Sequence, residues 1–464
     1  MFRHVFVNHN NFAHFSLNHA TSVNHTPTMS PFPFLRDCLF ISAILFAGIV
    51  KAQLTQNFSG LARTQVQYLV DQRIGLQPGK TDENLTLVAD PNKPLKQTLD
   101  RLRQELVNLP AITQALYQID SLAGKPTSVS WEIEESRTVF PLLNLGGVKD
   151  NFFYLIGIND IHFRGRAQQL TAFYQNIDGE HNYYLGLTNA AFRGSPWGYQ
   201  LESRRYAAIE PIFFPSITIN YRYSNLSFGA GLSYTTPNRH VFRFGVSNFY
   251  EHYRKVNAEA GTPGPDDLGL NKALLKFNHS INRVDQFGAR RSGTNHQSVA
   301  QVVFNLEQEQ PTFVIAWHDF RLYRLLGQHG NLAGRLRVGI SSNENSPFAP
   351  FVLDSQVNIR GSGNRIDRGT AQLILNLEYR HTAWQDRRDR FAAQLVAFSD
   401  FGSWRNPGGS LEDVFDAENF RHFIGGGLRL ISLKAFDAMI RLDYGVDVRN
   451  VRERGVVLGF GQYF

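Results

Sequence analysis

From Asn151 to its last residue, Phe464, the chain keeps a period of two and places charged side chains on alternate positions. Ala371, Leu373, Leu375, Leu377 and Tyr379 alternate with Gln372, Ile374, Asn376, Glu378 and Arg380. Phe436, Ala438, Ile440 and Leu442 alternate with Asp437, Met439, Arg441 and Asp443. Ile217, Ile219, Tyr221 and Tyr223 share a face opposite Thr218, Asn220 and Arg222. Successive side chains of a strand point to opposite faces, so these runs are strands with one apolar and one polar side. In a soluble sandwich the polar side meets water. In a transmembrane barrel it lines the lumen and the apolar side meets lipid.

The beginning of the chain favours the membrane. Arg36 to Gln53 reads RDCLFISAILFAGIVKAQ, a basic flank, a short apolar run and small residues before Gln53. This is the layout of a secretory signal peptide; the apolar run is short of the about 20 residues a spanning helix needs. Met1 to Thr28 is polar and rich in His and Asn, unlike a leader, and Met29 is the expected true start. Residues 1–52 are therefore assigned as leader and signal. The single cysteine, Cys38, falls in that segment. The mature chain then has no disulfide framework and no thiolate metal site.

No later segment reaches 18 apolar residues, so strands, not helices, are expected to cross the bilayer. A barrel must close, because an open edge in hydrocarbon leaves backbone groups unpaired. Residues 151–464 divide into about 16 units of about 20 residues, enough for a spanning strand of about 9–11 residues plus a connection. The chain ends in a strand, Val456 to Phe464, with Val456, Leu458, Phe460 and Phe464 on one face. Its expected seam partner lies near Phe153, in the run from Asn151 to Ile158.

Residues 53–147 have a different texture. Tyr68-Leu69-Val70 precedes a turn-like Gln77-Pro78-Gly79. Leu95, Leu99, Leu102 and Leu106 form one helical stripe between Pro94 and Pro110, as an amphipathic helix requires. Two strands are expected after it, Ala115 to Ile119 and Ser128 to Glu134. Together they make a small α+β domain ahead of a barrel at 148–464.

One stretch resists a strand reading. Asn358-Ile359-Arg360-Gly361-Ser362-Gly363 follows an irregular segment from Ser341 to Gln356. Glu378 sits on the polar face of the next strand and Asp400 on the one after. Inside a barrel an inward-folded Arg360 would meet both carboxylates through its planar fork. On spacing alone, an exposed hairpin tip with unrelated charges is the favoured reading.

These residues resemble the Omp85 superfamily, also called the bacterial surface antigen D15 family. Its sixth extracellular loop carries a Val-Arg-Gly-aromatic tip that folds into the barrel; here the tip is Ile359-Arg360-Gly361-Ser362. The family's following strands are matched by Leu377-Glu378-Tyr379-Arg380 and Phe398-Ser399-Asp400-Phe401-Gly402. Gly425-Gly426-Gly427-Leu428-Arg429 and Ile440-Arg441-Leu442-Asp443-Tyr444-Gly445 also match. Upstream, Asn159 to Arg166 is similar to the family's first hairpin, and Trp131 to Glu135 to the last strand of a POTRA domain. The departures are Ser362 in place of an aromatic, and room for one POTRA domain where the principal assembly proteins have several.

The resemblance implies a transmembrane antiparallel β-barrel of 16 strands in the bacterial outer membrane, with one POTRA-like domain in the periplasm. It implies insertion of outer-membrane proteins or translocation of polypeptide. The expected partners are outer-membrane lipid, unfolded barrel clients or exported polypeptides, and accessory periplasmic or lipoprotein subunits. Arg360, Gly361, Glu378 and Asp400 are the expected inward loop lock, and Phe153, Phe460 and Phe464 the expected seam. A small-solute diffusion pore or a structural surface-complex barrel is the alternative.

Other chemistry is poorly represented. The net charge is +7, but Lys and Arg are scattered, without the concentrated basic face of a nucleic-acid binder. No phosphate loop, nucleophile elbow or histidine cluster points to an enzyme, a cofactor or a metal.

Overall fold

The computed structural model describes residues 95–464 apart from short stretches at 109–111, 121–127, 136–138, 149–150, 165–167, 178, 193–194, 215–216, 237, 257–260, 307–310, 346–348, 354–357, 363–366 and 434–438. The expected signal segment, the start at Met29, the 68–79 segments, Phe436 and Ala438 lie outside the described residues. No helix among the described residues is long and apolar enough to cross a membrane.

A helix, Leu95–Val107, opens the described chain. Its Leu99, Leu102 and Leu106 are buried together with Ala115, the stripe that the spacing of the leucines implies. Ala115 belongs to a strand, Ile112–Asp120, paired antiparallel with Ser128–Glu135. The Tyr117 hydroxyl on that strand donates to Asp100 of the helix at 2.8 Å.

The rest is one sheet of 16 strands in sequence order, from Val139–Val148 at one edge to Arg454–Phe460 at the other. Every neighbouring pair is antiparallel. The long insertion between Gly330–Ser341 and Ala371–Gln385 carries its own two-stranded ribbon, Phe351–Leu353 with Asp367–Gly369.

One face of this sheet is apolar and exposed; the other is polar and buried. On Ala371–Gln385, Leu375, Leu377 and Tyr379 are exposed while Asn376, Glu378 and Arg380 are buried. On Met439–Asp447, Ile440 and Leu442 are exposed while Arg441 and Asp443 are buried. That inversion of the soluble pattern is what a lipid-facing sheet requires.

Two expectations are corrected by the strand pairing. Ile217 to Tyr223 was expected to show its apolar set outward. Instead Ile219 and Tyr221 are buried with Ile212 and Tyr253, while Arg222 is exposed. The pleat does not change along this strand, because Leu226, Phe228 and Leu232 on the Arg222 face are exposed. Only the polarity flips. The strands here run 18, 19 and 21 residues, about twice what hydrocarbon needs, so their far ends are free of the apolar-outside rule.

The seam is the second correction. Phe153 is in the second strand of the sheet, with Gly146 as its partner on one side and Ile177 on the other. The edge strand is Val139–Val148, ahead of the expected start of the sheet at 148. Pro141, Gly146 and Gly147 weaken its strand signal, and an edge is where a sheet tolerates proline. Phe460 does end the last strand, paired with Ile440. Residues of the two edge strands approach within 8 Å between Cα atoms, yet among the described residues no backbone ladder joins them.

The helix rests on the end of the sheet that bears its tight turns. Gln104 Nε2 donates to the Gln286 carbonyl at 3.0 Å and Asn108 Nδ2 to Asp285 at 2.8 Å. Arg239 of a neighbouring turn pairs with Glu105 at 2.9 Å.

Candidate functional site

The insertion after Ser341 folds onto the buried face of the sheet, and its tip is Ile359-Arg360-Gly361. Ile359 packs into an apolar cluster with Leu353, Ile374, Trp404 and Phe423, which anchors the backbone just before the arginine. The Asn358 carbonyl accepts from Asn376 Nδ2 at 2.8 Å. Gly361 has φ +90°, a conformation glycine adopts without the cost other residues bear.

Arg360 is fully buried. Its backbone N–H and Nε both donate to Asp400 Oδ2, at 2.9 and 2.8 Å, and its Nη2 donates to Oδ1 at 2.9 Å. Nη1 pairs with Glu378 and lies 4.0 Å from Asp443. This is the bidentate geometry that makes guanidinium–carboxylate pairs strong. The structure thus brings Arg360, Glu378 and Asp400 together, and sets Gly361 against Gly445 of a further strand.

The constellation is wider than the expected set. Arg380 pairs with Glu378, and Arg429 reaches Asp443 at 2.7 Å and Glu378 at 3.6 Å. Arg441 lies 3.6 Å from Asp443. Four guanidiniums therefore share three side-chain carboxylates. A second buried group lies on the neighbouring strands, where Arg335 and Arg337 each donate through Nε to Asp319 Oδ1 at 2.9 Å. Isolated charges this deep would be very costly; sharing partners is what makes them tolerable. Asp443 and Arg429 lie within the family-like motifs, but their spacing in the sequence points to no partner. Asp319, Arg335 and Arg337 carried one local signal, charge on alternate positions of a strand.

Phe464 departs from its expected place on the seam. The last strand stops at Phe460, and Gly461, with φ +76°, turns the chain. Tyr463 and Phe464 are buried with Val284, Tyr323 and Ala333 on the polar face of the sheet. Nine-residue periodicity cannot register a turn at one glycine. Among the described residues, no group of three His, Cys, Asp or Glu side chains is placed to hold a metal.

No family model matches this chain and no curated protein matches it by sequence. Solved structures do resemble it. One is BamA from Haemophilus ducreyi lacking POTRA domains 1–3, at 13% identity and TM-score 0.51, covering 85% of this chain and 80% of that one. Another is CdiB from Escherichia coli, at 11% identity and TM-score 0.54, covering 78% and 69%. At such identities the likeness concerns the fold, which is of the BamA–CdiB kind.

Proposed function

We propose that this BamA- and CdiB-like fold is an Omp85-type outer-membrane barrel that inserts barrel proteins or passes polypeptide across the membrane. The exposed apolar face meets outer-membrane lipid, and the 16 strands close into a ring around the Arg360 loop. The helix and two-stranded ribbon before the sheet serve as a single POTRA-like domain on the periplasmic side, where accessory subunits dock.

The observation that carries the reading is the pair of edge strands, adjacent yet without a ladder among the described residues. Unpaired backbone groups cannot enter hydrocarbon cheaply. Two edges that separate easily offer a client strand partners on both sides, a form of β-augmentation. The last strand has seven residues, against 13 in the strand Phe420–Ser432, so fewer hydrogen bonds hold it.

Inward loop packing is the lock in this mechanism: the Arg360 cage keeps the insertion seated while the seam is closed. A diffusion pore on the same barrel is the competing reading, and a loop tip and last residues packed against the polar face of the sheet disfavour a permanently open one. Photocrosslinkers at Val456 and Leu458, used in cells and read by mass spectrometry, should capture unfolded barrel proteins or exported chains. Depletion should remove outer-membrane proteins broadly. Loss of solute uptake alone, with outer-membrane proteins intact and no crosslinks, would replace this reading by the pore.

A further inference from the structure

The end of the chain leaves the sheet to enter the charged cluster. Two rings lie against Arg360, its Cζ 3.8 Å from the Phe398 centroid and 4.5 Å from that of Tyr463. Arg441 lies 4.8 Å from the Tyr463 ring. Arg380 lies 5.6 Å from the Phe464 ring. Guanidiniums are attracted to ring faces, most strongly where water is excluded.

The rings also meet a need that the carboxylates leave. Among the described residues, both Nη atoms of Arg380, and Nε and Nη1 of Arg441, find no hydrogen-bond partner. Buried donors without acceptors are costly. Aromatic faces add electron-rich surface to these guanidiniums beside the carboxylates they share.

We propose that Tyr463 and Phe464, just past the last strand, are an internal plug: aromatic ligands that clamp Arg360 and its neighbour Arg380 in the carboxylate cage. Gly461 joins it directly to the last strand, so a last strand that moves away draws it out of the lumen. This deepens the reading above, on which it rests: the strand offered to a client also carries the clamp on the loop. A client that draws the last strand away therefore frees the Arg360 loop, and strand exchange and loop release become one event.

The test needs no client. In a Cys38→Ser background, Ser362→Cys beside the tip reports loop seating through its rate of modification by a water-soluble maleimide, in purified, detergent-solubilised protein. Tyr463→Leu keeps an apolar side chain but removes the ring. It should raise the labelling rate about tenfold, equivalent to about 1.4 kcal/mol. Deleting residues 463–464 should raise it further, and Tyr463→Phe should keep the wild-type rate. Equal rates for Tyr463→Leu and Tyr463→Phe, both folded by heat-modifiable gel mobility, would overturn the plug. Because the assay contains no client, that result leaves client capture at Val456 and Leu458 standing as a separate question. Conversely, absence of client crosslinks leaves the labelling result intact.

Discussion

Gly361 and Gly445 meet backbone to backbone: a Cβ on Gly361 would stand 2.6 Å from the Gly445 Cα, and one on Gly445 would collide with the Arg360 carbonyl. The loop tip therefore sits on a strand only because both positions lack side chains. Gly445→Ala should lift the tip away from Asp400. The expected cost is about 1–3 kcal/mol, read as a lower unfolding midpoint and faster protease cleavage in the insertion. Gly426→Ala, where an added Cβ would meet nothing closer than 3.3 Å, should change both far less. Equal effects of the two substitutions would show that the glycine contact does not seat the loop.

Arg360→Ala removes the cation shared by Asp400 and Glu378. Breaking a buried pair on one side typically costs about 3–5 kcal/mol. Arg360→Lys keeps the charge but cannot reproduce the bidentate fork, so it should fall between wild type and Arg360→Ala. The midpoint of urea unfolding in detergent measures the order. Wild-type stability and protease resistance in Arg360→Ala would remove the lock from the account.

Asp400→Asn is nearly isosteric but loses the charge. It can no longer accept from the Arg360 backbone and side chain and from Asn376 without turning donor toward donor. It should loosen the loop nearly as much as Arg360→Ala. The double variant Arg360→Ala/Asp400→Asn should cost less than the two single changes summed, as expected for residues in one network. Strict additivity in a double-mutant cycle would contradict the contact.

Asp319→Asn tests whether the second cluster is a separate unit. Arg335 and Arg337 would then repel each other without a carboxylate between them. Stability should drop by about 3 kcal/mol or more while the Ser362→Cys labelling rate stays at the wild-type value. A raised labelling rate would mean that the two clusters act as one.

The helix contact should matter little to stability. The Arg239–Glu105 pair is partly solvent-exposed on the arginine side, at 25% of its side-chain area. Arg239→Ala should cost about 1 kcal/mol or less in thermal unfolding. A loss several times larger would make this ion pair a principal tie between helix and sheet.

Much of the architecture was legible along the chain because a strand's pleat is local. Leu377 and Glu378 fall on opposite faces whatever the rest of the protein does. For the same reason the leucine stripe at Leu99, Leu102 and Leu106 identified its helix, and the Arg-Gly pair marked a tip. Polarity reports the surroundings less faithfully than parity. Tyr221 keeps its place in the alternation but lies on the inner side, since a strand longer than the lipid is thick escapes the lipid's demand at its ends.

What only the tertiary structure decided is which distant groups share space. Arg360 meets Asp400 across 40 residues of sequence, and Tyr463 and Phe464 reach Val284, Tyr323 and Ala333, through the curl of a whole sheet. Val139–Val148 is the edge, laddered to Asn151–Phe163 alone among the described residues. Periodicity acts between near neighbours, so it names the faces; the curvature accumulated over 16 strands selects which charges and rings those faces bring together.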